Sequence, residues 1–90
     1  MPNIGQGINT TQNALSTTAE LVLAARRSRA FCEVKNADSS ISVYIGGTDA
    51  VTSANGHLLK AGEALAFENY VGPIYAVAAS GTPTVTTIEW

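Results

Sequence analysis

From residue 17 onward the chain runs in short stretches of alternating apolar and polar positions, separated by Gly, Asn, Asp, Ser and Pro. A period of two sends successive side chains to opposite faces of a sheet, so each stretch predicts a half-buried strand. Ala30–Asn36 is the clearest, with Ala30, Cys32 and Val34 opposed to Phe31, Glu33 and Lys35. Asn36-Ala37-Asp38-Ser39-Ser40 is turn chemistry. Ile41–Ile45 then directs Ile41, Val43 and Ile45 inward and Ser42 and Tyr44 outward. Glu63–Glu68, Ile74–Ala79 and Thr84–Trp90 follow as further strands, the last with Val85 and Thr87 on one face and Thr86, Ile88 and Trp90 on the other. Thr17–Leu23 also alternates and is predicted as a strand, although TAELVLAARR contains good helix formers. Residues 46–62 form a polar connection with tight turns at 53–56 and 60–63, between which His57-Leu58-Leu59 offers two leucines to the core.

These stretches give six strands, or up to eight with the weaker segments, with turn signals every 8–12 residues. That spacing predicts an all-β domain: a small antiparallel β-sandwich or jelly-roll-like barrel. The domain is expected over residues 17–90. Residues 1–16 (MPNIGQGINTTQNALS) place Ile4, Ile8 and Leu15 too far apart to build a face. Such a segment buries too little apolar surface to offset its ordering entropy, so it is expected to be an extended, flexible N-terminal arm.

Composition narrows the means of stabilisation. A 90-residue chain buries only about 60–65% of its unfolded surface, and domains of this size commonly lean on disulfides, metals or self-association. Cys32 is the lone cysteine and His57 the lone histidine, so neither a disulfide framework nor a histidine-rich metal site is expected, and no cofactor is implied. Self-association or docking on a larger body remains. The formal net charge of −2 lacks the basic excess that phosphate neutralisation requires, which argues against a nucleic-acid partner. No apolar run reaches the roughly 20 residues of a membrane-spanning helix, and Met1-Pro2-Asn3-Ile4-Gly5 lacks the layout of a signal peptide. The expectation is a protein made in the cytoplasm, with no membrane partner.

Candidate chemistry is sparse. His57 lies in a turn-rich region without a nearby Asp, His or Cys cluster, and Cys32 alternates with Ala30 and Val34 as a small core residue. Glu20, Glu33, Asp38, Asp49, Glu63, Glu68 and Glu89 are scattered and form no calcium-loop spacing. No catalytic residues are assigned, and the chain is read as non-enzymatic. Two features stand out as partner-binding candidates. Arg26, Arg27 and Arg29 concentrate three of the five cationic residues and suit contact with an acidic surface. Tyr44, Tyr70, Tyr75 and Trp90 carry polar-tipped rings of the kind that populate interfaces; Tyr44, Tyr70 and Trp90 would also serve as stacking platforms in a carbohydrate-binding module.

Several segments together carry a resemblance. They are Arg26-Arg27 leading into a strand that ends at Asn36; Val43-Tyr44-Ile45-Gly46; the stretch Val51-Thr52-Ser53-x-x-Gly56-x-x-Leu59-x-x-Gly62; Pro73-Ile74-Tyr75-Ala76-Val77-Ala78; and Ser80-Gly81-Thr82. Over residues 17–90 the chain resembles small structural proteins encoded among the virion genes of tailed bacteriophages. The resemblance implies a β-sandwich or jelly-roll fold and a place in the virion as a capsid decoration or minor capsid protein. The partners it implies are the major capsid protein, or another virion protein, and further copies of the chain, with a trimer expected. A low-copy neck, tail or fibre component is the alternative. No active-site residues come with it.

Overall fold

The computed structural model describes residues 7–90. Among them are eight strands and no helix: β1 (Asn9–Ala14), β2 (Glu20–Leu23), β3 (Phe31–Asn36), β4 (Val43–Gly46), β5 (His57–Leu59), β6 (Ala64–Glu68), β7 (Ile74–Ala78) and β8 (Thr84–Glu89). They form two four-stranded antiparallel sheets, ordered β1-β8-β3-β6 and β2-β7-β4-β5. Apart from β4 to β5, each strand is followed in the chain by a strand of the opposite sheet. This is the winding of a jelly roll, in which two sheets share one core. The expected fold class is the one found.

The core lies between the sheets. Val34, Cys32 and Val85 enter from the first, and Val43, Ile45, Leu59, Ile74, Ala76 and Ala78 from the second, each almost wholly buried. The alternation of β3 explains its place at the centre of its sheet, because every second residue faces the core while Glu33 and Lys35 face out. In β8, Val85 and Thr87 are buried as the alternation required.

Three sequence expectations need correction. The segment 1–16 was expected to stand outside the domain. Instead Asn9–Ala14 is an edge strand paired along its full length with β8, and Leu15 is 1% exposed in the core. Its backbone groups find partners on β8, so it joins the sheet without an apolar face of its own; residues 1–6 of the expected arm lie outside the described residues. The second correction concerns β2, which is shorter than Thr17–Leu23 and changes register between Leu21 and Leu23. That irregularity breaks the alternation, so Val22 and Leu23 are both buried while Leu21 faces out. The third is β5, which contributes one leucine to the core: Leu59 is buried and Leu58 exposed.

Candidate functional site

Directly opposed residues of antiparallel strands point to the same side of their sheet, so the register assigns each side chain a face. In β2-β7-β4-β5 the outward rows are Leu21–Tyr75–Gly46 and Val77–Tyr44–Leu58. No charged residue occurs among these paired outward positions. Leu21 and Leu58 are 46% and 41% exposed, and Tyr44 and Tyr75 are half-buried. Val77 faces outward yet is buried, as is Val51 from the loop between β4 and β5.

Glycines explain how that loop sits. A Cβ at Gly46 would lie 2.7 Å from the Val51 side chain, and one at Gly56 would lie 2.7 Å from Tyr44 Cβ and 3.0 Å from the Thr52 carbonyl oxygen. The absence of side chains at these two positions lets the loop fold back over the sheet and lay Val51 on it. Asn55 holds the loop, its Oδ1 accepting from the Thr52 amide at 2.7 Å. The result is a tyrosine-bearing outer surface whose paired strand positions carry no charge, with exposed Asp49 in the loop and Lys60 just beyond β5.

The outer face of β1-β8-β3-β6 differs. Its outward positions include Thr10, Gln12, Thr84, Thr86, Glu33, Lys35 and Glu68, the ordinary solvated face of an antiparallel sheet. Its apolar members include Ile88, Ala64 and Ala66 within the face and, at one end, the Trp90 ring, which stacks on Phe31 with centroids 4.6 Å apart. Trp90 remains 37% exposed, and Ile8, just before β1, is 64% exposed.

The arginines divide. Arg27 is exposed. Arg29 is buried, and its guanidinium is bound inside the chain. Nε donates to Glu89 Oε1 at 2.7 Å, Nη1 to the carbonyls of Tyr70 (3.1 Å) and Gly72 (2.8 Å), and Nη2 to the carbonyl of Ala24 (2.5 Å). Arg26 Nη1 approaches Glu89 Oε2 at 3.7 Å. The expected contact with an acidic neighbour is thus not made by Arg29, whose carboxylate partner is the chain's own Glu89; Arg29 ties the β2–β3 connection to β8 and the β6–β7 loop, and Arg26 lies beside the same carboxylate. Cys32 is buried beside this pair; burial pushes its thiol above the usual range, Arg29 opposes that and Glu89 adds to it. A thiol held protonated is a core group and a poor nucleophile.

Tyr70 is also engaged internally. Its hydroxyl donates to the Pro73 carbonyl at 2.7 Å, and its ring tilts against Phe67 with centroids 5.5 Å apart. These two rings form part of the wall of an apolar cleft of about 430 Å³. Ile45, Leu65 and Ile74 also line it, together with His57. Among the described residues no group of three or more His, Cys, Asp or Glu side chains is placed to hold a metal ion. Tyr44, Tyr70 and Trp90 do not share a platform: the first is on one outer face, the last on the opposite one, and Tyr70 is in a loop. Leu21, Leu58 and Val77, which complete the apolar outer face with Tyr44, were not singled out from the sequence. The signal was present in the alternation of HLL and IYAVA, but an apolar side chain reads as core until register assigns it a face.

The fold defines the class: a double-stranded β-helix, or jelly roll, with one apolar outer face. Among solved structures it is similar to the stem and receptor-binding domain of the spike protein P1 from bacteriophage PM2, with a TM-score of 0.61 and 19% identity over 83% of this chain and 30% of that one. It is similar too to an HTH_3 family transcriptional regulator from Vibrio cholerae (TM-score 0.60, 13% identity, 92% of this chain and 42% of that one). A de novo designed double-stranded β-helix matches over nearly its whole length (TM-score 0.58, 18% identity, 91% and 99%). The chain thus spans less than a third of the spike structure and under half of the regulator. At these identities the likeness is one of fold. No family model matches the chain, and no curated protein matches it in sequence.

Proposed function

We propose that this chain is a non-enzymatic structural protein of a tailed-bacteriophage virion, a decoration or minor capsid protein that binds the shell as a homo-oligomer. The observation that carries this reading is the uncharged outer face of β2-β7-β4-β5, with Leu21, Leu58, Tyr44 and Tyr75 on its surface. An antiparallel sheet already covered on its inner side has no folding reason to be apolar on the other, and contiguous exposed apolar surface marks interaction sites. Tyrosines favour such contacts because they bring area and a hydrogen-bonding tip at little entropic cost. The sequence resemblance points to a virion, and the fold shared with a phage spike domain is compatible with that setting. The mechanism is mechanical. Small domains seated across subunit seams add buried area, and repetition over a shell multiplies a modest contact into strong retention. Arg27, exposed in the β2–β3 connection, is available to an acidic lattice surface.

Copy number tests the proposal. Mass spectrometry of purified particles of the source phage, scaled to the major capsid protein, is expected to give hundreds of copies of the chain. About a dozen copies would transfer it to the neck, tail or fibres. Absence from clean particles would overturn the virion reading.

A further inference from the structure

We infer that two copies of this chain join through the open edge of β1, strand beside antiparallel strand, so that β1-β8-β3-β6 continues from one copy into the other. The inference rests on the homo-oligomeric part of the proposed function and names its surface, the edge of one sheet. The outer face of the other sheet stays available to the shell.

A bare strand edge carries unpaired amides and carbonyls, which another extended backbone satisfies along its whole length. The four edges of the sandwich are β1, β6, β2 and β5. Three of them have features that discourage pairing. β2 has four residues, a register shift between Leu21 and Leu23, and a charge at Glu20. β5 has three residues and is followed by Lys60. β6 follows Glu63 and ends in Glu68. β1 has none of these: NTTQNA is six residues long, without charge, proline or glycine, and its register with β8 is unbroken.

The ladder identifies which groups face away. Leu15 donates its amide to the Pro83 carbonyl at 2.9 Å, in step with the pairing of β1 and β8. Residues of an antiparallel ladder alternate between pairs that exchange hydrogen bonds and pairs that do not. The odd-numbered residues of β1 thus turn their backbone groups to β8, and Thr10, Gln12 and Ala14 turn theirs to the open edge. Among the described residues no strand lies on that side of β1.

Self-complementarity selects a second copy as the occupant. A two-fold axis normal to the sheet keeps inward and outward sides matched between copies and sets one residue against its own counterpart. With the axis at Thr11, Thr10 opposes the partner's Gln12 and Asn9 the partner's Asn13. The exchanging pairs then fall on Thr10 and Gln12, whose groups face the edge. The same register brings Ile8, 64% exposed, beside the partner's Ala14, also exposed. No like charges meet, because β1 carries none. There is room for the second strand. Asn9 and Thr11 point inward yet are exposed, and β2, an edge of the opposite sheet, packs against β8.

The test uses the full chain in the absence of particles, so failure of the inference and failure of the virion assignment are read separately. Sedimentation velocity from about 1 µM to about 1 mM, the range of modest affinities, is expected to show a reversible dimer. Gln12→Pro removes an amide that β8 does not use, at an edge position where proline is tolerated. It is expected to weaken association about tenfold or more, whereas Gln12→Ala, which keeps the amide, should change it by less than about twofold. Cross-linking reads the register. Opposed residues of a pair that exchanges no hydrogen bonds lie about 4.5 Å apart between Cα atoms, within reach of a disulfide. Thr11→Cys is expected to give a covalent dimer under mild oxidation, and Gln12→Cys, opposite the partner's Thr10, little. Cys32 is buried and does not compete. Far-UV circular dichroism checks that every variant keeps the β fold. A wild-type chain that stays monomeric throughout the range would overturn the inference. So would association unchanged in a folded Gln12→Pro chain, or a Gln12→Cys chain that cross-links as readily as Thr11→Cys.

Discussion

The two sheets share one core but differ in almost everything else. β1-β8-β3-β6 has a polar outer face, and polar groups also reach its inner side: Glu89, Thr87 and Asn36 all face the core from it. Each has a partner, Glu89 in Arg29, Thr87 in Thr11 (Oγ1 to Oγ1, 2.5 Å), and Asn36 in backbone of the opposite sheet. β2-β7-β4-β5 is largely apolar on both sides, with Glu20 and His57 at inward positions near its edges, and among the described residues its strands bring no comparable buried polar group. Of the first sheet's contacts the Asn36–Leu59 bond joins the two layers, Thr87–Thr11 lies within the sheet and Glu89–Arg29 ties it to the β2–β3 connection. The second sheet supplies packing inward and, at its paired strand positions, an uncharged surface outward. The difference teaches that specific hydrogen bonding and uncharged outer surface are lodged in different sheets, and substitutions should separate them.

The largest effect is expected at Arg29. Its side chain is 0% exposed and has four hydrogen-bond partners, one of them charged. Removing one member of a buried pair costs roughly 3–5 kcal/mol when the other charge is left unpaired; here Arg26, at 3.7 Å from Glu89, offsets part of that, while three backbone carbonyls lose their donor. Arg29→Ala should lower unfolding stability by that order in a denaturant titration, and a loss below 1 kcal/mol would show that the clamp is dispensable. Arg29→Lys should recover little, because an ammonium cannot bridge the Ala24, Tyr70 and Gly72 carbonyls and Glu89 together.

Asn36 comes next. It lies at the end of β3, and its Nδ2 donates to the carbonyls of Leu59 (3.0 Å) and Ile41 (2.8 Å) while its Oδ1 accepts from the Asp38 amide (3.0 Å). The bond to Leu59 crosses from one sheet to the other. Asn36→Ala orphans these groups, and buried unsatisfied groups cost about 1–3 kcal/mol. If the polar sheet fixes the layers, the same truncation at an outward apolar position such as Leu58 should change stability far less. Equal losses at Asn36 and Leu58 would remove the distinction between the sheets.

Gly56 probes the apolar sheet on its own terms. A methyl group there meets Tyr44 Cβ and Val51 Cγ2 as well as the Thr52 carbonyl, so the loop must shift. Gly56→Ala is expected to destabilise by about 1–3 kcal/mol, in line with other overpacked sites. Because Val51 would move off the face, retention on particles should weaken with it, and a variant that loses stability alone would separate the loop from the surface.

How far the sequence revealed this follows from the same contrast. β3 and β4 were legible because a strand between neighbours with one buried face must alternate, and FCEVKN and VYIG do; β8 was legible as a β-branched run after a Gly-Thr-Pro turn, although its register turns Ile88 outward and Glu89 inward. β1 was not legible, since NTTQNA has no apolar face; it is a strand because β8 offers it a ladder. β2 was legible in place and wrong in phase, because one register shift turns Leu21 outward. In the candidate site, Tyr44 could be picked out by residue type and alternation together. Arg29 and Tyr70 have the same composition signal as surface binders, and only the fold shows that their polar groups are satisfied within the chain. Leu58 and Val77 were hidden for the converse reason. Hydrophobicity identifies what avoids water, while register decides from which side.

The smallest effect is expected where the chain passes from one sheet to the other. Asp38, between β3 and β4, accepts hydrogen bonds from the Ser40 and Ile41 amides at 2.9 and 2.7 Å. These bonds, the one from Ser40 foremost, favour the carboxylate and hold its pKa below the usual value of 3.8. A depressed folded-state value means the unfolded chain takes up the proton first. The contribution of Asp38 is therefore fully present above about pH 4, and is lost as pH falls through the lowered folded-state value. Asp38→Asn should cost a little stability near neutrality and remove part of the acid sensitivity below pH 4, measured as unfolding midpoints across pH 2–7. Unlike Asn36, this side chain holds only the local turn, so its loss should leave the packing of the sheets intact. A variant whose acid profile matches the wild type would mean that the turn keeps its shape without the carboxylate, and that Asn36 alone fixes the passage between the sheets.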